Sequence, residues 1–282
     1  MTAMGPLVAA GRTSDVYAYG AFAVVKVPRP EVPSHWAPME AKFTAAVRQL
    51  GVPAPDVLDV VQVDDRPAIV FERIDGRSMW EHMLERPGDI PALSNLMAEV
   101  HRHILTAGLP TGVAGLVDRM CKKIAEVQHL PDTERQTAHA SVTAMPRGAA
   151  LLHGDLHPGN VLMSANGPVV IDWFDATIGH PVADVVRTSL LVRPYGLPDA
   201  PPHLPGADPD LLDRLHSSYV AAMIDVLEVP VDVLRAWEAV VAVSRLAESA
   251  QTDDAALLTL WTERQAESTT ALLDARSAAL AE

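Results

Sequence analysis

A chain of 282 residues, 49% hydrophobic and 21% charged, can bury a substantial core as one large domain or as two lobes. Its 36 acidic residues outnumber 22 basic ones, and the net charge of −14 argues against nucleic acid as a partner, because phosphate binding requires basic patches. The single cysteine, Cys121, excludes an intrachain disulfide and fits a reducing cytoplasm; charges interrupt every candidate membrane segment, and no basic residues precede the apolar run Leu7–Ala10 as they would in a signal peptide.

The first 75 residues read as a small β-rich lobe with one helix. Leu7–Ala10, Val16–Tyr19 and Ala23–Val27 are short strand candidates, with Gly11 and Gly20 marking turns. A helix is expected from about Ala37, where Pro38 suits the first turn and Met39, Phe43, Val47 and Leu50 recur at helical spacing. Gly51-Val52-Pro53 ends it. Val57–Val63 and Ala68–Glu72 read as a hairpin that turns at Asp64-Asp65-Arg66. Beyond Asp75-Gly76 the pattern predicts helices over 90–107, 115–128, 132–144, 181–193, 208–227, 231–249 and 254–280, with a Pro-rich loop from Arg193 to Pro209. The exception is the segment from His153 to Trp173.

That segment carries the chemistry. His153-Gly154-Asp155-Leu156-His157-Pro158-Gly159-Asn160 precedes strand-like Leu162, Val169, Val170 and Ile171, which flank the hairpin signal Asn166-Gly167. The hairpin returns Asp172 towards Asn160. One carboxylate to accept a hydroxyl proton, with an Asn and a second carboxylate to hold a divalent cation, is the set that phosphoryl transfer from a magnesium nucleotide needs. Zinc is a poor fit: His153 and His157 have the four-residue spacing of ligands on a helix, but Gly154, Pro158 and Gly159 oppose a helix here. No Gly-x-Ser-x-Gly elbow supports a serine hydrolase.

The string resembles the catalytic loop of the aminoglycoside phosphotransferases, His-Gly-Asp-x-x-x-x-Asn followed by Ile-Asp-Trp or Ile-Asp-Phe. Their kinase-like superfamily also holds choline, homoserine, methylthioribose and fructosamine kinases. The resemblance runs from about Leu7 to Arg187 and implies an α+β, bilobal protein-kinase-like fold. Residues 1–75 would form the nucleotide-binding lobe and 76–282 a mostly helical catalytic and substrate-binding lobe. It further implies ATP (or GTP) and Mg2+ as cofactors, Asp155 as the catalytic carboxylate, and Asn160 and Asp172 as magnesium ligands. Gly11, Thr13 and Ser14 fall at the phosphate-covering loop, Lys26 at the strand-three lysine, Glu40 at its helical partner, and Glu72 and Ile74 at the adenine-binding connection between lobes. His157, Trp173 and Asp175 are candidates to meet the acceptor. Asp184 and Arg187 match a family Asp-x-x-Arg, read as an ion pair locking its helix to the loop, while His180 stands where the family's Gly-Asp-Pro has aspartate.

The expected activity is phosphorylation of a hydroxyl on a small molecule, an aminoglycoside-like antibiotic or amino sugar, with antibiotic resistance as one physiological role. The acidic balance is compatible with a cationic acceptor. Asp199, Glu238 and Glu248 are carboxylates placed to meet one, although a solvated helix face is the ordinary setting for each. The alternatives are a metabolic sugar or amino-alcohol kinase and a nucleotide-binding pseudokinase that regulates a partner. The set Lys26, Asp155, Asn160 and Asp172 weighs against the pseudokinase. No Arg precedes Asp155 and no Ala-Pro-Glu follows Asp172, which weighs against a protein kinase. Neither nucleic acid nor membrane is an expected partner, and the oligomeric state stays open.

Overall fold

The computed structural model describes residues 4–193, 203–227, 230–248 and 254–265. Five strands come first: β1 (Met4–Ala10), β2 (Ser14–Tyr19), β3 (Ala23–Pro28), β4 (Val57–Val63) and β5 (Arg66–Glu72). They form one antiparallel sheet in the order β1-β2-β3-β5-β4, and α1 (Trp36–Gln49) lies between β3 and β4 in the chain. Alternate strand residues face opposite sides. Ala23, Val25, Ala68 and Val70 therefore make one small core, while Val24, Ile69 and Phe71 pack on Ala37 and Ala41 of α1. Lys26, two residues beyond Val24 and paired with Ile69 across the sheet, falls on the α1 side. The β4–β5 turn is tighter than expected. Asp64 and Asp65 both take positive φ (49° and 59°), so a two-residue turn suffices and β5 begins at Arg66.

Three small strand pairings frame the loop from His153 to Asn160. β6 (Gly76–Ser78), β8 (Val161–Ser164) and β9 (Gly167–Val170) form a sheet in the order β6-β8-β9, and β7 (Ala150–Leu152) pairs with β10 (Thr177–Gly179). At the β8–β9 turn Ser164 pairs with Gly167, so Ala165 and Asn166 are the turn residues and Gly167, at φ 112°, opens β9. The helices are α2 (Met79–Glu85), α3 (Ile90–Thr106), α4 (Leu116–Glu126), α5 (Asp132–Ala144), α6 (Pro181–Leu191), α7 (Pro209–Leu227) and α8 (Val231–Arg245), with a further helical stretch over 254–265. Of the expected helix 254–280, residues 266–280 lie outside the described residues, as does Asp199. Helix α2 was not among the expected ones. Its start is a capping box: Ser78 Oγ accepts from the Glu81 N–H, and the Glu81 carboxylate accepts from the Ser78 N–H.

Two cores hold the helical part. In one, Leu151, Leu152, Leu156, Val161, Val170 and Trp173 pack with Met79, Met83, Met97, Ile104 and Tyr219, giving the loop a floor built from α2, α3 and α7. In the other, Val117, Ile124, Val142, Val186, Leu190 and Trp237 join α4, α5, α6 and α8. Each fully buried aliphatic side chain contributes about 1.5–3 kcal/mol to such a core. No helix among the described residues is long and apolar enough to cross a membrane.

Candidate active site

The sheet and the loop meet at Lys26. Its Nζ lies 2.6 Å from Glu40 Oε1 on α1 and 3.1 Å from Asp172 Oδ1, which is 146 residues away in the chain. Glu40 sits on the buried stripe of α1 with Ala37, Ala41 and Thr44, which aims it at the sheet. One ammonium thus serves two carboxylates. Burial lowers the Lys26 pKa, but Asp172 and Glu40 outweigh that and hold it above the usual lysine value. Burial pushes Glu40 up to about 7, with Lys26 opposing the shift. Burial also pushes Asp172 up, yet Lys26 beside it brings it below the usual carboxylate range. Asp172 adopts a left-handed backbone (φ 66°, ψ 64°), a conformation costly for a residue with a side chain and common where a site imposes geometry.

The loop is held from beneath by α3 and α6. Asp184 accepts the N–H of His153 at 2.7 Å and of Gly154 at 2.8 Å, and His101 Nε2 lies 3.1 Å away. Those donors outweigh burial and keep Asp184 below the usual carboxylate range. His153 is fully buried; its Nδ1 accepts the Asp155 N–H at 3.1 Å, so Nε2–H donates to Ile171 O at 3.0 Å. Burial lowers its pKa, and the ring is a neutral spacer between loop and hairpin. Asn160 Nδ2 donates to the Asp155 carbonyl at 2.9 Å, and the Ile171 N–H to the Asn160 carbonyl at 2.9 Å. With its nitrogen committed, the Asn160 amide oxygen accepts no hydrogen bond among the described residues, the two atoms being assigned by the hydrogen-bond network. Gly154 has φ 79°, and a Cβ there would stand 2.2 Å from the Asp175 carbonyl oxygen, so only glycine lets the two segments approach.

Asp184 and Arg187 do not work as the expected ion pair. Each reaches the loop separately: Asp184 through amides, Arg187 through Nε–H to the Gly154 carbonyl and through Nη2, 3.6 Å from Asp155 Oδ1. The partner of Arg187 is Glu248, at 2.8 Å. His180 caps its helix, its Nδ1 accepting the Val182 N–H at 3.3 Å while the ring stacks on Trp237.

On the nucleotide side, Gly11 N–H closes the β1–β2 turn on Ser14 O at 2.8 Å, and a Cβ at Gly11 would meet that oxygen at 2.8 Å. Thr13 stands on the turn with its carbonyl held by the Arg29 N–H, whereas Ser14 already opens β2 and is buried. Glu72 is engaged with Asp56: its N–H donates to the Asp56 carbonyl and its Oε1 accepts the Asp56 N–H. Among the described residues Ile74 pairs with no other backbone group.

On the acceptor side the structure corrects two expectations. Trp173 cannot line a pocket, because it is completely buried, with Nε1–H donating to the Val170 carbonyl and the ring against His153. A large aromatic following Asp172 is drawn into the core beneath the loop, and it is Phe174 that turns outward to stack on Trp36 at a centroid distance of 4.0 Å. His157 is 6% exposed, with Nδ1 accepting the Gly159 N–H at 3.1 Å and its ring against His203. Burial, then His203, keeps its pKa well below the usual histidine value, so the ring is a neutral element of the loop, with Nε2 4.0 Å from Asp155 Oδ2. Asp175 does reach the cleft beside the loop, where it is ion-paired to Arg119 and lies 3.9 Å from Lys123. Glu248 pairs with Lys123 and Arg187, and Glu238 with Arg193 and Arg264, so neither is a solvated carboxylate. Sequence reading passed over Arg119 and Lys123; their four-residue spacing on α4 was the available signal.

Known proteins share this fold. The model of the phosphotransferase enzyme family matches residues 6–204. A choline/ethanolamine kinase family protein from Mesorhizobium loti has a similar crystal structure, with a TM-score of 0.56 and 18% identity over 94% of this chain and 87% of that one. ADP-bound aminoglycoside phosphotransferase APH(2'')-Ib gives 0.56 at 16% identity, covering 94% and 92%. Aminoglycoside-3'-phosphotransferase of type VIII gives 0.57 at 19% identity, covering 86% and 92%. Among curated sequences, the uncharacterized protein YcbJ of Bacillus subtilis is 23% identical over 52% of this chain, a match spanning 53% of that protein's length. The fold is the bilobal, protein-kinase-like α+β fold of those structures, and the chain belongs to the phosphotransferase enzyme family.

Proposed function

We propose that this chain transfers the terminal phosphoryl group of a magnesium nucleotide, ATP or GTP, to a hydroxyl of a small molecule. The observation that carries the reading is the convergence of Lys26, Asp172, Asn160 and Asp155 from separate parts of the chain into one chain of contacts. In this reading residues 1–75 bind the nucleotide and 76–282 carry the loop and the acceptor. The β1–β2 turn at Gly11 and Thr13 covers the phosphates, and the unpaired backbone of Ile74 meets the base. Lys26, oriented by Glu40, grips the phosphates.

Asn160 and Asp172 fit magnesium: one offers an amide oxygen whose nitrogen is anchored, the other a carboxylate with only one oxygen bound to Lys26. Two hard oxygen donors suit an ion that takes its remaining ligands from phosphates and water. Magnesium bound there would neutralise charge on the phosphates. Asp155 accepts the acceptor hydroxyl's proton as its oxygen bonds to the γ-phosphorus, the bond to the β-phosphate oxygen breaks, and the nucleoside diphosphate leaves. Arg187, 3.6 Å away, keeps Asp155 in place. Positioning and charge neutralisation dominate such a loose transition state.

The test is Asp155→Asn, assayed for diphosphate release over a panel of amino sugars, nucleosides, hydroxy acids and small alcohols. General-base losses are about 10²–10⁴-fold, so kcat falls by at least that much while nucleotide Kd stays within a few-fold. Turnover surviving within about threefold, below any base contribution, would remove Asp155 from the chemistry.

A further inference from the structure

The residues from Asp172 to Asp175 are each held by a different partner. Asp172 Oδ1 lies 3.1 Å from Lys26 Nζ, and Trp173 is sealed in the core with Nε1–H donated to the Val170 carbonyl. Phe174 stacks on Trp36, with ring centroids 4.0 Å apart and planes inclined by 25°, and Asp175 is ion-paired to Arg119. Trp173 and Asp175 thus bind the segment to the helical part of the chain, while Asp172 and Phe174 tie it to β3 and α1. Arg119 also joins the aromatic contact: its guanidinium carbon stands 5.8 Å from the Phe174 centroid, within cation–π range.

The ties to β3 and α1 differ in kind. Lys26–Asp172 is electrostatic, and in the phosphotransfer reading both partners meet other charges when the nucleotide binds: Lys26 the phosphates, Asp172 the cation. That pair loosens as the ligand arrives. Trp36–Phe174 is apolar, and no charge on the nucleotide competes for it. Trp36 also stands one helical turn ahead of Glu40 on α1, so its ring and the Glu40 carboxylate leave the helix on the same side. Holding Trp36 against Phe174 therefore keeps Glu40 opposite Lys26. Asp172 needs support on its own account, because its left-handed backbone (φ 66°) is unfavourable for a residue with a side chain and persists only where its surroundings fix it.

We propose that Trp36 and Phe174, with Arg119 beside them, are positioning residues: their stack keeps α1 and the Asp172 turn together, so that Asp172 still faces its cation after the phosphates have drawn Lys26 away. The inference rests on the phosphotransfer reading above and adds no step to its chemistry. By reciprocity, a stack that strengthens cation binding is itself tightened when the cation binds. A pair that only filled space would change the melting temperature and leave the magnesium dependence alone.

The experiment is calorimetric titration of ATP and of GTP, each with and without MgCl2, into wild type, Phe174→Leu and Phe174→Tyr. Leucine keeps apolar bulk but removes both the stack and the cation–π contact, whereas tyrosine keeps the ring. The magnesium gain, Kd without the cation over Kd with it, is expected to fall by about three- to tenfold in Phe174→Leu, the worth of an aromatic pair, and to return in Phe174→Tyr. Trp36→Leu loses the same gain, and the double variant loses little more than either alone, because each removes the same contact. Trp36 gives a second readout in the wild type. Trp80, Trp173, Trp237 and Trp261 are at most 3% exposed while Trp36 is partly exposed, so acrylamide quenching of the fluorescence reports on Trp36. Quenching is expected to fall when nucleotide and magnesium are added together, and to fall less with nucleotide alone. A folded Phe174→Leu with the magnesium gain of wild type overturns the proposal and leaves phosphotransfer standing. Should the leucine variants fail to melt cooperatively, quenching carries the test, and accessibility left unchanged by nucleotide with magnesium overturns it. Wild type that binds neither nucleotide, or binds them with no magnesium gain, is instead a failure of the phosphotransfer reading, and the proposal falls with it.

Discussion

Replacing Asp184 with asparagine probes what holds the catalytic loop. Asp184 is 2% exposed and accepts two loop amides at 2.7 and 2.8 Å, with His101 Nε2 at 3.1 Å. Asparagine keeps the shape but has one acceptor oxygen, so its NH2 must face either a loop N–H or His101. A hydrogen bond to a buried charged acceptor contributes about 1.5–3 kcal/mol, and an orphaned buried donor adds a further penalty. Asp184→Asn should therefore cost roughly 3–5 kcal/mol, the range for breaking a buried charged contact. At about 2 °C per kcal/mol for a chain of this size, Tm falls by roughly 6–10 °C. The pH dependence has a definite sign. The folded-state pKa of Asp184 is depressed, so its contribution is complete above the unfolded value of about 3.9 and is lost as pH falls through the folded pKa. Denaturant melts of both proteins should show a constant gap between about pH 5 and 8 that narrows in more acid solution. A variant melting within about 2 °C of wild type, well under one lost contact, would refute this account of the loop. So would a gap that fails to narrow between about pH 5 and 3.

Three further outcomes follow from the same geometry. Lys26→Ala leaves Glu40 and Asp172 without their shared cation, and nucleotide Kd should weaken by about tenfold or more, the worth of a charged contact; unchanged affinity in a folded variant would detach Lys26 from the phosphates. Asp172→Asn should abolish the difference between ATP titrations run with and without magnesium, and a variant with wild-type magnesium dependence would contradict the ligand assignment. Gly154→Ala places a Cβ 2.2 Å from the Asp175 carbonyl oxygen at φ 79°, so denaturant melts should show a loss of more than about 2 kcal/mol, beyond the left-handed backbone penalty alone; a near-neutral effect would mean that loop and Asp175 separate freely.

Much was legible in the sequence because it is encoded locally. Period-two alternation over Val24, Val25 and Lys26 and the helical stripe of α1 mark the elements, while the opposition of Lys26 and Glu40 comes from the family resemblance, since a lysine in a half-buried strand ordinarily faces solvent. The string from His153 to Asn160 carries its own turn chemistry, and the following hairpin must bring Asp172 back beside it. The Ser78-x-x-Glu81 box was equally readable and marks α2. Side-chain fate was not readable where it depends on segments far apart in the chain. Trp173 follows Asp172 whether it points to a cleft or to the core; the floor made by α2, α3 and α7 takes it inward and leaves Phe174 to stack on Trp36. Glu248 has the local context of a solvated helix residue, and only the packing of α6 and α8 brings Arg187 to it, 61 positions away. The net charge of the whole chain likewise says nothing about the charge of one cleft. Arg119 and Lys123 from α4 meet Asp175 and Glu248 in that cleft as ion pairs, because contact electrostatics depends on which few side chains share a wall, and tertiary packing chooses them.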